Sequence, residues 1–359
     1  MRDAILNCLV AGLACLFCIW LLRPLAIRVG FVDRPDERKL HQNNIPLIGG
    51  VAIFFGFCFA LLNLRFSLLP FRSLLAGSAL IVLMGVVDDF KDLSAHLKLF
   101  GQLMVGMILT VWGQLLISHF GNIFFMGDVY IGYLALPFTV LVVVTYLNAL
   151  NMIDGQDGLA GCIALGQAFW LVIFAYQLHL EPLLHLLVIL IAVLLVFLSF
   201  NMSLPWRSQA SIFMGDSGST FLAFILAWIA INIAQSNINF IKPVSVLWVM
   251  AFPIFDLLNV VMHRLWQRKS IFAASRDHLH HVLNFSGMKQ SLSTILLFSF
   301  SFGFGGIGYL INRYDIPEGW GFLLFIATLI CYFCVVTLTR QPMNVDKIAI
   351  DTENLEHHV

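Results

Sequence analysis

The chain has 359 residues, of which 60% are hydrophobic and 11% are charged, and its formal net charge is zero. A soluble domain would carry roughly 25% charged residues, so this composition excludes an ordinary soluble protein. The zero net charge by itself indicates no class of partner, and no nucleic-acid partner is predicted. The mean hydropathy of +0.91 is typical of an all-α polytopic membrane protein surrounded by a lipid bilayer.

Apolar runs long enough to cross a bilayer as helices predict eleven spans. The first run, residues 5–22, lacks the basic segment and the small-residue cleavage site of a signal peptide, so it is interpreted as a span. Pro182 separates the sixth span from the seventh. The predicted spans cover residues 4–27, 48–66, 72–87, 98–118, 131–147, 159–178, 183–203, 217–235, 243–262, 292–311 and 319–338.

Eleven spans place alternate loops on alternate sides of the membrane. Fifteen of the 20 Lys and Arg residues fall on one side, and an excess of basic residues near span ends marks the cytoplasmic face. We therefore expect the N-terminus outside and the C-terminus inside. Residues 1–340 are predicted to form a single integral-membrane domain, followed by a polar cytoplasmic tail at 341–359.

The polar residues gather at the same predicted cytoplasmic rim. A transporter is expected to carry its functional polar residues near the bilayer midplane, so the pattern favours chemistry on a water-soluble substrate at the membrane surface. The residues concerned are Asp88, Asp89, Asp92, Asn148, Asn151, Asp154, Asp157, Asp216, Asp277, His278, His280 and His281.

Two segments carry oxygen ligands at span ends. In the segment 148–158, amide and carboxylate side chains recur at a spacing of three residues, which suits Mg²⁺; the alternative is a polar helix end with a turn. Asp216 begins the eighth span, where Ser217 and Ser219 are predicted to supply capping hydroxyls. An ordinary helix cap is the alternative to a metal carboxylate beside phosphate-binding N–H groups.

Three histidines follow Asp277 in the longest inner loop. No cysteine accompanies them and their spacing is not that of a standard zinc site, whereas basic neighbours such as Arg264 favour an anion such as a diphosphate. A solvated basic loop is the alternative. Asp256 lies within a predicted span, where a carboxylate is costly, so it is expected to face the bundle interior and support the site.

The stretch GVVDDFKD at 85–92 ends the third span with adjacent carboxylates. Asp88, Asp89 and Asp92 fit the DDxxD pattern by which prenyl synthases hold a magnesium diphosphate, so an intramembrane prenyltransferase is one alternative function. A transporter is a second alternative, from another class of protein. Adjacent residues on a helix point about 100° apart, which predicts separate tasks for Asp88 and Asp89 and a solvated Asp92.

Five motifs in order resemble the polyprenyl-phosphate N-acetylhexosamine-1-phosphate transferases, and the resemblance runs from about residue 20 to about 340. The HxHH form at 278–281 separates this branch from the relatives that transfer a muramoyl pentapeptide. The motifs are DRPDERKLH (33–41) with PLIGG (46–50), DD (88–89), NALNMIDGQDGLAG (148–161), FMGDSGS (213–219) and DHLHH (277–281).

The resemblance implies transfer of GlcNAc-1-phosphate from UDP-GlcNAc to undecaprenyl phosphate, with release of UMP, in the bacterial cytoplasmic membrane. Mg²⁺ is the implied cofactor, with Mn²⁺ as an alternative. The exact UDP-sugar, the polysaccharide pathway (of the O-antigen or common-antigen type) and the oligomeric state, including a homodimer, stay open.

The resemblance also implies roles for individual residues. Asp216 is the expected Mg²⁺ ligand, with Asn151 as a second, and Asp89 is expected to brace the metal side. Asp88 is expected to deprotonate or orient the lipid phosphate, or to act as the nucleophile in a two-step version. A lipid phosphate is largely dianionic at neutral pH because its second pKa is near ~6, which favours direct attack over a two-step route. A further set of residues is expected to line the binding site for the nucleotide, diphosphate or sugar: Asp154, Asp157, Asn148, Asp256, Arg264, His278, His280, His281, Lys39 and His41.

Overall fold

The computed structural model describes residues 2–33, 44–203, 207, 209–236, 240–268 and 278–340. These residues form thirteen α-helices and a short antiparallel pair of strands, β1 (Val32–Asp33) and β2 (Ile45–Pro46). The helices are α1 (Arg2–Val29), α2 (Gly49–Leu61), α3 (Arg72–Lys91), α4 (Ala95–Met107), α5 (Ala135–Ile153), α6 (Leu159–Gln177), α7 (Glu181–Asn201), α8 (Gly215–Ala234), α9 (Pro243–Val249), α10 (Ala251–Trp266), α11 (Leu279–Phe285), α12 (Gln290–Arg313) and α13 (Glu318–Arg340).

Within the described ranges, nine helical segments are long and apolar enough to cross a membrane, and α9 with α10 makes a tenth if the two count as one span. The expectation of an all-α polytopic membrane protein is confirmed. Helices suit this environment because they satisfy most of their backbone hydrogen bonds within the segment.

Three of the eleven predicted spans were wrong in extent. The span at 48–66 is helical only over the 13 residues of α2, about 20 Å of helix, which is too short to cross the hydrocarbon core alone. The span at 243–262 is broken between α9 and α10 by a bend of 72°. Pro253 lies in the first turn of α10 and cannot donate a backbone hydrogen bond to Val249, which accounts for a break there.

The third error concerns residues 98–118. This helix starts earlier, at Ala95, and ends in a π-helical turn at Ile108–Trp112. Beyond it the backbone doubles back, with Phe120 N–H donating to the Val129 carbonyl at 3.0 Å. Helices α3 and α5 extend well beyond their predicted ends at 87 and 147, to Lys91 and Ile153.

Helix α8 lies at the centre of the bundle and packs against α2, α3, α5 and α6. In its most apolar stretch 89% of the residues are buried, compared with 17% in α13. Because α8 is apolar on all its faces, it is stable only where other helices surround it. Its first turn is therefore held in a fixed place.

Backbone hydrogen bonds attach the start of α2 to the start of α8. Gly49 N–H donates to the Phe213 carbonyl and Gly50 N–H to the Met214 carbonyl, both at 2.9 Å. The approach needs glycine, since a Cβ at Gly50 would lie 2.2 Å from the Gly218 nitrogen. These contacts position the polar residues that begin α8.

Candidate active site

An ion-pair cluster joins three helices at one end of the bundle. Lys98, in the first turn of α4, places its Nζ against Asp88 Oδ2 from the end of α3 and 3.2 Å from Asp216 Oδ2 at the start of α8. Asp88 is buried, whereas 37% of the Lys98 side chain is exposed. The cluster thus combines two carboxylates and one cation that solvent can reach.

A small cavity opens at this cluster. Its volume is about 30 Å³, enough for one or two water molecules, so a substrate group would have to enlarge it or bind at its mouth. Its lining residues come from α3, α4, α5 and α8: Met84, Gly85, Asp88, Lys98, Gln102, Asn148, Asn151, Asp216 and Thr220.

Asp89 caps the N-terminus of α8 and is not part of the ion-pair cluster. Its carboxylate accepts hydrogen bonds from the backbone N–H groups of Asp216 at 2.9 Å and Ser217 at 3.4 Å. Helix N-termini present unpaired N–H groups and favour a negative charge. Gly215 makes room for the carboxylate, because a Cβ at Gly215 would lie 2.5 Å from Asp89 Oδ2.

This arrangement corrects the prediction of capping hydroxyls at 217 and 219. The residue preceding α8, Met214, makes no side-chain cap, and Ser219 Oγ donates back to the Gly215 carbonyl at 3.2 Å. The cap comes instead from α3. Local sequence patterns cannot reveal a cap that another helix supplies.

Asn151 holds Asp216 from the side of α5. Its Nδ2 donates to Asp216 Oδ1 at 3.1 Å and to Ser219 Oγ at 2.9 Å. The Asn151 amide therefore presents its N–H₂ group, and not its oxygen, to Asp216, and this hydrogen bond fixes the direction of the Asp216 carboxylate.

Asn148, one turn earlier, is paired with α4. Its Nδ2 donates to Gln102 Oε1 at 2.8 Å, and Gln102 Nε2 donates back to Asn148 Oδ1 at 3.2 Å. A reciprocal amide pair at a helix interface fixes the position of α4 and therefore of Lys98 relative to α5.

Asp157 and Asn201 connect the loop after α5 to the segment that leads into α8. Asp157 Oδ2 accepts a hydrogen bond from the Ala210 N–H at 3.2 Å. Asn201 Oδ1 accepts from the Gly158 N–H at 2.9 Å, and its Nδ2 donates to the Ile212 carbonyl at 2.9 Å. These hydrogen bonds therefore join the loop after α5 to the segment that precedes α8.

Asp154 lies in the same loop, at the end of α5. Burial raises its pKa well above the usual value for an aspartate, and the carboxylates of Asp216, Asp89 and Asp157 act in the same direction. A cation or a bound proton is needed to relieve this concentration of negative charge.

Asp256 organises the histidine segment. It is 2% exposed and accepts hydrogen bonds from His278 Nδ1 at 2.8 Å, from the Leu279 N–H at 3.0 Å and from the Tyr332 hydroxyl at 3.0 Å. As expected for a carboxylate at membrane depth, it faces the interior. Two turns later Arg264 is also buried, in the last turn of α10.

His280 lies between the histidine segment and the loop after α5. It is 2% exposed, and its Nε2 has no hydrogen-bond partner among the described residues. A Cβ at Gly155 would lie 2.7 Å from that nitrogen, so this loop passes directly over the imidazole. Burial lowers the pKa of His280 to about 3, helped by His281, and the ring is neutral at physiological pH.

Acidification is expected to destabilise the protein through His280. An unfolded histidine titrates near ~6.5, whereas the folded ring stays neutral down to a pKa of about 3, so the unfolded state binds more protons between these values. The stability contribution is complete above about pH 6.5 and declines below it. From about pH 7.5 to about pH 5.5, the wild type should lose about 1 kcal/mol more than His280→Gln.

Thermal unfolding in detergent at the two pH values measures this difference. The raised pKa of Asp154 acts with the opposite sign, because the folded state then binds the extra proton. Asp154 is present in both proteins, so the comparison isolates His280. Equal pH dependence of the two melting temperatures would contradict a buried neutral imidazole.

The residues of the cluster fit a divalent cation that keeps most of its waters. No group of three or more His, Cys, Asp or Glu side chains within the described ranges is arranged to hold a metal. Asp88 and Asp216, however, already share one cation, Lys98. Carboxylate oxygens suit Mg²⁺, which uses few protein ligands and completes its shell with water and substrate phosphates.

The structure gathers most of the predicted site residues at one end of the bundle. They form separate groups of contacts there, such as the ion-pair cluster and the group around Asp256. Lys39, His41 and Asp277 lie outside the described residues. Sequence reasoning missed Lys98, Gln102 and Gln156. Lys98 offers one signal in the sequence, because it is a cation just after the Ser94 cap at the start of an apolar helix.

Comparison with known proteins covers the same region. The model of glycosyl transferase family 4 matches residues 71–234, a range that contains Asp88, Lys98, Asn151 and Asp216.

Similar curated proteins match well beyond that range, and each is an undecaprenyl-phosphate alpha-N-acetylglucosaminyl 1-phosphate transferase. The Yersinia pestis protein is 32% identical over 322 residues, which are 88% of this chain and 87% of the relative. The Escherichia coli protein is 31% identical with the same coverage. The Haemophilus influenzae protein is 31% identical over 92% of both chains.

Proposed function

Because this chain belongs to glycosyl transferase family 4, we propose that it transfers GlcNAc-1-phosphate from UDP-GlcNAc to undecaprenyl phosphate, with release of UMP. The names of relatives that align over nearly their whole length support this reaction. The observation that carries it is the Lys98 ammonium held between Asp88 and Asp216 at the ends of membrane helices. There a lipid phosphate and a soluble nucleotide sugar can meet.

The reaction needs no proton transfer. An oxygen of the lipid phosphate attacks the sugar-bearing phosphorus, the bond from that phosphorus to the UMP oxygen breaks, and UMP leaves with the electron pair. The attacking phosphate is largely dianionic because its second pKa is near ~6, so a base gains little. This favours a one-step transfer in which Asp88 and Lys98 orient the lipid phosphate.

Charge neutralisation is the main task of the site, since two polyanions repel each other. Lys98 supplies one positive charge, and Arg264 is proposed to supply another to the diphosphate. The neutral His280 is suited to a hydrogen bond with a sugar or phosphate oxygen and not to an ion pair. Asp154 and Asp157 line the nucleotide side in this proposal.

We propose Mg²⁺ as the cofactor, with Mn²⁺ as an alternative. When bound, the metal would neutralise diphosphate oxygens and stabilise the charge that develops during transfer. Asp216 would hold it, with Asp88 nearby. Asn151 would become a ligand only after its amide turns to present Oδ1, because its Nδ2 now faces Asp216.

A prenyltransferase that uses Asp88, Asp89 and Asp92 as a DDxxD metal site is disfavoured by geometry. Asp88 faces Lys98 and Asp89 faces the start of α8. Asp92 is exposed and ends α3 in a left-handed conformation with φ of 46°. The three carboxylates therefore do not share a ligand.

The proposed setting is the bacterial cytoplasmic membrane, with the ion-pair cluster on the cytoplasmic side and the N-terminus outside. The distribution of basic residues supports this orientation. The reaction would be the first membrane step of a cell-surface polysaccharide of the O-antigen or common-antigen type. A homodimer is compatible with this proposal but is not required by it.

A transfer assay tests the function directly. Membranes that contain the chain, from cells without a background transferase, are incubated with undecaprenyl phosphate, Mg²⁺ and radiolabelled UDP-GlcNAc, UDP-GalNAc or UDP-glucose. We expect label from UDP-GlcNAc in the lipid fraction and equimolar UMP. Transfer from UDP-GalNAc alone would change the assigned sugar, and absence of UMP release with all three sugars would overturn the function.

Asp88→Asn is expected to lower the turnover number by about 100-fold while the protein still inserts and folds. The change removes a charge that is buried against Lys98 and retains an acceptor for the Leu93 N–H, which now lies 2.8 Å from Asp88 Oδ1. Steady-state kinetics with purified protein provide the measurement. Asp92→Asn is the matched control, because its carboxylate is exposed. Equal activity of the two variants would contradict a role for Asp88.

A further inference from the structure

Gln156 is a buried residue that the proposed reaction does not use. It lies in the loop between Asp154 and Asp157 and is 5% exposed. A neutral amide is costly to bury unless its polar atoms find partners. The partners of Gln156 therefore indicate what its burial achieves.

The amide nitrogen of Gln156 faces the first turn of α12. Nε2 lies 2.6 Å from the Gln290 carbonyl oxygen, 2.7 Å from Ser293 Oγ and 2.5 Å from Thr294 Oγ1. Three acceptors surround a group that has two hydrogens, so the nitrogen is fully satisfied and fixed in direction.

The amide oxygen faces α11 and α12. Oε1 accepts hydrogen bonds from Asn284 Nδ2 at 3.1 Å and from Ser293 Oγ at 3.0 Å. Ser293 Oγ also lies 3.2 Å from Asn284 Oδ1. One side chain therefore ties the loop at 154–158 to the helix that carries the histidines and to the helix that follows it.

The tie has a geometric consequence next to the site. With Gln156 held, the neighbouring Gly155 packs over His280, since a Cβ at that glycine would lie 2.7 Å from His280 Nε2. On the other side of Gln156, the Asp157 carbonyl accepts a hydrogen bond from Thr294 Oγ1 at 3.4 Å. These contacts hold the loop carboxylates at a fixed distance from the imidazole rings.

We propose that Gln156 is a positioning residue that locks the carboxylate loop at 154–157 to the histidine helix α11, so that both present one rigid surface to the UDP-sugar. This rests on the proposed function, since it assigns the loop and the histidines to the nucleotide-sugar side. Gln156 does not itself touch the substrate. The lipid phosphate meets the Asp88 and Lys98 pair, which has no contact with Gln156, so Gln156 should not influence it.

Gln156→Leu keeps the size of the side chain and removes its hydrogen bonds. We expect the KM for UDP-GlcNAc to rise about 10-fold, because small misplacements of binding groups weaken productive binding, while the KM for undecaprenyl phosphate stays within about 2-fold. Equilibrium binding of UDP-GlcNAc with Mg²⁺ should weaken by a similar factor, which tests the proposal without turnover.

Gln167→Leu is the matched control for losing a buried amide. Gln167 is 1% exposed and accepts a hydrogen bond from the Tyr146 hydroxyl at 2.6 Å, between α5 and α6. We expect this variant to lose thermal stability but to keep both KM values. If Gln156→Leu leaves the KM for UDP-GlcNAc unchanged, or raises both KM values equally, the positioning role is overturned.

Thr294→Val covers the case in which Gln156→Leu fails to fold. It removes one acceptor of Nε2 and should raise the KM for UDP-GlcNAc about 3-fold in the same selective way; an unchanged KM would overturn the proposal. A wild type that neither transfers nor binds UDP-GlcNAc would instead refute the proposed function, so the two failures are distinguishable.

Discussion

Asp216→Asn should lower the turnover number by about 100- to 1,000-fold at saturating substrates. Asp216 is the point where the cluster converges, because it contacts Lys98, receives the Asn151 amide and begins α8. Replacement by Asn removes the charge that would attract the metal and retains the size of the side chain. Initial rates over a range of Mg²⁺ concentrations measure both the loss of turnover and any change in metal requirement.

Asp315→Asn is the control for this substitution. Asp315 also pairs with a lysine, Lys242 at 2.6 Å, but its side chain is 94% exposed, and exposed pairs contribute little. We expect the turnover number of this variant to change by less than about 2-fold. Near-normal turnover of Asp216→Asn with an unchanged Mg²⁺ requirement would refute the metal assignment.

Gly85→Ala should produce a large loss of stability for the addition of a single methyl group. A Cβ at Gly85 would lie 2.3 Å from the Ser217 Cα and 2.4 Å from the Ser217 nitrogen. These are backbone atoms of the first turn of α8, so no side chain can rotate away. Overpacking of this kind costs about 1–3 kcal/mol, and it would displace Asp216 and reduce activity as well.

Gly303→Ala separates this clash from the general effect of replacing a helical glycine. A Cβ at Gly303 in α12 would meet nothing within 4 Å, and alanine favours helix by about 1 kcal/mol over glycine. Thermal unfolding and turnover of both variants are compared in the same detergent. Unchanged melting temperature and activity in Gly85→Ala would show that α3 and α8 are not packed as described.

The helical fold was predictable because hydropathy is a local property. The bend between α9 and α10 was missed although Pro253 lies inside the predicted span 243–262, because a proline within a membrane helix does not always break it: α1 continues from Arg2 to Val29 with Pro24 inside. The end of α2 at Leu61 was also missed, although Asn63 and Arg65 interrupt the apolar run there.

The polar residues of the site were largely predictable as a set, and their contacts were not. Lys98 and Asp216 are 118 positions apart. Their pairing depends on how α3 and α5, which pack on both α4 and α8, bring the two helices together. Gln156 carried no signal at all, because a single glutamine between two aspartates resembles any polar loop residue until its partners in α11 and α12 are known.

GVVDDFKD illustrates the division between sequence and structure. Its sequence was enough to predict that carboxylates end a membrane span and that Asp88 and Asp89 point in different directions, because the helical repeat fixes about 100° between neighbours. Only the packing of α3 against α4 and α8 decided their targets: Asp88 meets Lys98, and Asp89 caps α8. Chain-local rules determine which groups reach the rim, whereas contacts between distant helices determine which groups meet there.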